Sequence, residues 1–141
     1  MSTLIELALK SDEVIEVLEH YELTVVYDFD RLNENSPDAY WASSQQAGFE
    51  LRFNERQVLK TVFVYALSSG EFAQADQGIA GVPFYRTFTE ASAAFRAKAI
   101  SFRTSANGQA WIKGNFEEYT VHYEFNPHGD LALVTMSATD A

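Results

Sequence analysis

Polar and apolar positions along this chain follow two different periods. Residues 48–53 read Gly-Phe-Glu-Leu-Arg-Phe, apolar alternating with charged, the period-two pattern of a strand with one face in the core and one in water. After the polar connector Asn54-Glu55-Arg56-Gln57, residues 58–65 form a second β-rich run, so the pair predicts an antiparallel hairpin. The signal returns at residues 111–113, 119–125 and 131–137. Between the last two, Asn126-Pro127-His128-Gly129 suits a type I turn, with proline second and glycine where φ must be positive. Elsewhere the period is helical. Val14, Ile15, Val17, Leu18 and Tyr21 share one helix face, behind a Ser11 N-cap and the first-turn acids Asp12 and Glu13. Thr87 and Glu90 form a capping box that starts an alanine-rich helix near Phe88, continued by Ala91, Ala94, Phe95 and Lys98. A further helical turn is expected within residues 4–9 and a strand within 24–29. Residues 30–38 are rich in turn formers and predict a loop with a short helix after Pro37, and residues 68–83 read as a linker. The expected architecture is a single α+β domain over residues 1–141, an antiparallel sheet of two hairpins with helices packed on one face, without a convincing internal repeat although the two hairpin-plus-helix halves are loosely similar in order.

Composition sharpens this in three ways. At 47% hydrophobic and 14% aromatic, the 141 residues hold too much apolar material for a disordered acidic tail. There is no cysteine, which excludes disulfides, thiolate zinc sites and thiol nucleophiles. Twenty acids against 10 bases give a formal net charge of −10, which argues against nucleic-acid and anionic-membrane partners and favours a basic one. The charge is uneven. Residues 1–50 carry 11 acids and two bases, residues 51–105 four acids and seven bases, and the remainder five acids and one base. Glu6 interrupts the apolar residues near the start, and the longest apolar run, residues 62–67, is far below the roughly 20 residues of a membrane span, so a cytoplasmic protein is expected.

The chemistry-bearing residues form no recognisable reaction centre. His20, His122 and His128 are scattered, the serines include no Gly-x-Ser-x-Gly elbow, and the glycines are not at phosphate-cradle spacings. No catalytic residue, metal site or cofactor is therefore nominated. Asp28 and Asp30 would point the same way on a strand, as a carboxylate pair or an acidic patch. Tyr40 and Trp41 follow the acidic loop outside a clear period, as a binding hot spot or as a plug of the core.

The strand runs at residues 48–53, 59–65, 119–125 and 131–136 resemble a loose group of small acidic bacterial proteins encoded as immunity partners of polymorphic toxins, including contact-dependent and type VI secreted effectors. The resemblance spans residues 48–137. It departs from the group's Leu-Gly-x-Pro helix end, where this chain has Ala97-Lys98-Ala99-Ile100. It implies a hairpin, a Ser/Thr-capped helix and a second hairpin, and a protein that is not an enzyme but neutralises a cognate toxin by direct stoichiometric binding. The toxin would present a basic surface, met by Glu13, Glu16, Glu19, Asp28, Asp30, Glu34 and Asp38 with Tyr40 and Trp41. Two alternatives stay open: a small-ligand-binding or enzymatic domain with an aromatic-lined pocket near His122 and Asp28, and a homodimer formed by pairing a sheet edge.

Overall fold

A computed structural model describes residues 1–29, 38–106 and 108–140. Among these residues, after a 3-10 turn at Ser2–Leu4, come helix α1 (Asp12–His20) and strands β1 (Val25–Asp28), β2 (Ala39–Ser44), β3 (Phe49–Phe53) and β4 (Leu59–Tyr65). The short helix α2 (Gln77–Ala80) and helix α3 (Phe88–Ala97) lead into β5 (Phe102–Thr104), β6 (Trp111–Asn115), β7 (Tyr119–Phe125) and β8 (Leu131–Ala138). All eight strands form one antiparallel sheet in the order β1-β2-β3-β4-β8-β7-β6-β5. The α+β class is as expected, but the sheet is much larger than two hairpins.

The additional strands escaped detection for a physical reason. Residues 39–44 are Ala-Tyr-Trp-Ala-Ser-Ser, whose small residues blur the contrast between faces, and β5 has only three residues. Both are strands because neighbours supply their hydrogen-bond partners: β2 lies between β1 and β3, and β5 pairs with β6. The helix expected after Pro37 is thus replaced by β2, residues 30–37 lying outside the described residues. The expected linker at 68–83 contains α2.

The helices form where their caps place them. The Val14 N–H donates to Ser11 Oγ at 3.4 Å, and the Glu90 N–H to Thr87 Oγ1 at 3.2 Å. Both helices also stop alike and without glycine. Glu22 and Ala99 each adopt φ of 54°, while the Leu23 N–H donates to Leu18 O and the Ile100 N–H to Phe95 O.

That correspondence extends to a structural repeat the sequence conceals. Each half of the chain is a capped helix followed by a four-strand meander. In the β3–β4 connection, Asn54 Oδ1 accepts from the Arg56 and Val58 N–H groups; in the β7–β8 connection, Asn126 Oδ1 accepts from those of His128 and Asp130. Gln57 and Gly129 occupy equivalent left-handed positions, φ 64° and 88°. The register shifts likewise coincide, at Arg52/Phe53 and Glu124/Phe125. Phe63 pairs with Thr135 across β4 and β8, and by the same correspondence each is the other's counterpart. A local twofold axis normal to the sheet therefore passes through this pair. Both halves retain burial class and turn geometry but only scattered identities, among them Phe53 with Phe125, Asn54 with Asn126 and Val62 with Val134, so the repeat is faint in the sequence.

One face of the sheet carries the core. Phe49, Leu51, Phe53, Val62 and Val64 of the first half meet Val121, Tyr123, Val134 and Met136 of the second, all fully buried. Val14 of α1 and Ala91 and Phe95 of α3 join the same cluster, so both helices cover this face. Gly114 makes room for Phe95, whose ring a Cβ there would approach to 2.9 Å.

Candidate binding surfaces

Two surfaces differ sharply in character, and the first is the acidic exterior of the helical side. α1 turns Val14 inward and leaves Glu13, Glu16 and Glu19 exposed, as a 3.6-residue period requires. Among the described residues, ion pairs join Lys60 to Glu6 at 2.9 Å and to Asp140 at 3.0 Å. No described cation pairs with the three α1 glutamates. Asp28 is exposed at the end of edge strand β1, opposite Ala39, and by alternation with Val26 it points to the side away from the helices. Asp38 accepts a 2.5 Å hydrogen bond from the Tyr27 hydroxyl, which holds that phenol up at about 12. The Tyr27 ring lies 4.9 Å from Tyr40 and 5.9 Å from Phe29. Asp30 and Glu34 lie outside the described residues.

Tyr40 and Trp41 do not act together. Adjacent strand residues point to opposite faces, so Tyr40 stays on the helical side beside Tyr27 while Trp41 points away from the helices. The nominated residues thus divide between two faces.

The second surface is the open face of the sheet, which the alternation of 48–53 predicted without revealing its extent. Its central row runs across six strands as Ser43, Glu50, Phe63, Thr135, His122 and Lys113. Trp41 stacks on Phe63 at 6.0 Å with the Arg52 guanidinium 5.7 Å over its ring, and Trp111 meets His122 edge-on at 5.2 Å. Glu50 accepts from the Tyr65 hydroxyl at 2.8 Å and from Ser43 Oγ at 3.1 Å. Burial first, and then this bond to Glu50, raises the Tyr65 phenol to about 12. Trp41 and Trp111 occupy matching places, on the second strand of each half. Sequence reasoning missed Trp111, Phe63 and Tyr65 because their strand neighbours, which make them one surface, are remote in the chain.

Burial lowers the affinity of His122 for a proton, an effect that Glu124 opposes and Lys113 reinforces. The unfolded chain binds that proton more readily, so stability conferred at neutral pH is expected to fall as pH drops through the ordinary histidine range, levelling off below the folded value. His122→Gln should flatten this part of a plot of unfolding free energy against pH. An unchanged slope would show that His122 does not contribute.

Among the described residues, no three His, Cys, Asp or Glu side chains cluster as metal ligands, and no helix is long and apolar enough to cross a membrane. Asp28 on β1 and His122 on β7 are separated by β2, β3, β4 and β8, so they do not line a common pocket. A groove of about 480 Å³ lies between the N-terminal turn, α1 and α2, lined by Leu4, Glu16, Val17, His20 and Ile79 among others; neither Asp28 nor His122 borders it. No protein-family model matches the chain, and no curated protein and no solved structure matches it either.

Proposed function

We propose that this chain is a binding protein that neutralises a cognate bacterial toxin by direct stoichiometric association, docking the acidic outer face of α1 on a basic toxin surface. The observation that carries the reading is the set Glu13, Glu16 and Glu19, exposed and without a described cation on the most acidic third of the chain. Side chains committed to internal ion pairs would have little field left for a partner. These three are free to project theirs, and the sequence resemblance to immunity proteins supplies the partner class. A toxin that acts on phosphates needs a basic site, and an acidic helix both steers towards such a site and occupies it. Asp38, bonded to Tyr27 near one end of β1, extends the acidic character on this side, whereas Asp28 points to the other face of the sheet. A ligand pocket near Asp28 and His122 has less support, because the two residues stand on strands far apart in the sheet.

The test uses the full chain and the toxin domain encoded beside its gene. Association rates measured by stopped flow are expected to fall steeply between about 0.05 and about 0.5 M salt. The combined variant Glu13→Lys, Glu16→Lys and Glu19→Lys should slow association by about tenfold or more. Rates unaffected by the triple variant would remove α1 from the interface, and failure of the two proteins to associate would remove the function.

A further inference from the structure

We propose that the open face of the sheet is a homodimerisation surface, on which a second copy of this chain stacks face to face about a twofold axis parallel to β4 and β8.

Size is the first consideration. Eight strands spaced about 4.8 Å apart, each presenting some five residues at about 3.3 Å, give a face of roughly 600 Å² per copy. Covering it on both copies hides roughly 1,200 Å², the lower end of stable interfaces. Edge strand β1, despite exposed Val26 and Tyr27, offers four residues and only a fraction of that area.

Charge is the second. The chain carries −10 overall, yet the formal charges on the open-face strand positions balance, Arg52, Arg103 and Lys113 against Asp28, Glu50 and Glu124. The α1 glutamates lie on the opposite side. With sheets packed about 10 Å apart and a helix layer beyond each, the two α1 layers stand roughly 30 Å from one another, several times the Debye length of about 8 Å at physiological salt. Mutual repulsion of two acidic chains is therefore largely kept out of the interface.

The central row also complements itself. Its first-half members are Ser43, Glu50 and Phe63, and its second-half members Thr135, His122 and Lys113. A twofold axis along the strands sets first half against second. Glu50 of one copy then faces His122 and Lys113 of the other, and Phe63 faces Thr135. Aligned sheet packing by stacking of side chains is an established architecture, and here Trp41 and Trp111 would add large rings to the contact.

The proposal does not require the toxin, so its outcome is independent of the reading above. Sedimentation velocity on the full chain, between about 1 and about 100 μM, should show the mass rising from 15.9 kDa towards twice that value. Both tryptophans lie on the open face, so their emission should shift to the blue with the same concentration midpoint. Thr135→Arg places like charges from the two copies close together at the axis and should yield a monomer with unchanged circular dichroism. Glu50→Lys should weaken the dimer at least tenfold, and adding Lys113→Glu should restore it, a rescue that a folding defect would not produce. Tyr27→Lys, at the β1 edge but on the helical side beside Tyr40, should leave the dimer intact. A wild-type chain monomeric at about 100 μM would overturn the proposal. So would a dimer that survives Thr135→Arg or is abolished by Tyr27→Lys, the latter pointing to edge pairing.

Discussion

Phe95→Ala is expected to lower the free energy of unfolding by about 3–5 kcal/mol, the range for truncating a buried aromatic. Phe95 is fully buried, and its ring centroid lies within 6.1 Å of those of Tyr85, Phe102, Phe116 and Tyr123. These neighbours come from both sides of α3 in the sequence and meet only around this side chain. The backbone at Gly114 already approaches from below, leaving little else to close the void. Since a domain of this size has about 5–15 kcal/mol of stability in all, the variant should unfold at a much lower urea concentration. A loss below about 1 kcal/mol would mean the surrounding rings collapse into the space and the cluster is not a rigid core.

Gly48→Ala is the second large effect, about 3 kcal/mol or more. Gly48 has φ of 75°, and a Cβ there would overlap the Ala73 carbonyl oxygen and stand 2.9 Å from the Ala75 nitrogen. Those atoms cannot easily yield. The Ala73 N–H donates to Gln45 O, the Ala75 N–H to Tyr65 O, and the Tyr65 N–H to Gly48 O, which straps the chain after β4 across the β2–β3 turn. Gly129→Ala separates the two contributions: φ is 88° but no atom lies within 4 Å of its added Cβ, so only the left-handed penalty of about 1 kcal/mol applies. Equal losses in the two variants, measured by urea unfolding, would show that the strap moves aside without cost.

The twofold repeat gives these numbers a common setting. Leu18 of α1 and Phe95 of α3 hold equivalent closing positions, each carbonyl accepting from the backbone N–H five residues on. The second half nevertheless contains the dense ring cluster, while the first half contains the α1 glutamates that pair with no described cation. The two halves share geometry and divide the properties.

Local features of this protein were legible in its sequence: both helix starts, through Ser11 and Thr87, the alternation across residues 48–53, the Asn126 turn and the concentration of acids before residue 51. Each depends on neighbours within a few positions, where capping, turn chemistry and periodicity operate. Tertiary structure alone decided that residues 39–44 are a strand, that Tyr40 and Trp41 face opposite ways, and that Trp41 and Trp111 share one open surface. It also decided that the chain is two copies of one pattern joined at β4 and β8. Strand pairing links residues more than 70 positions apart, as Thr61 with Ser137, and those pairings assign the side chains of every strand to a face. No short-range signal carries that information, because it resides in the register between strands rather than in any one of them.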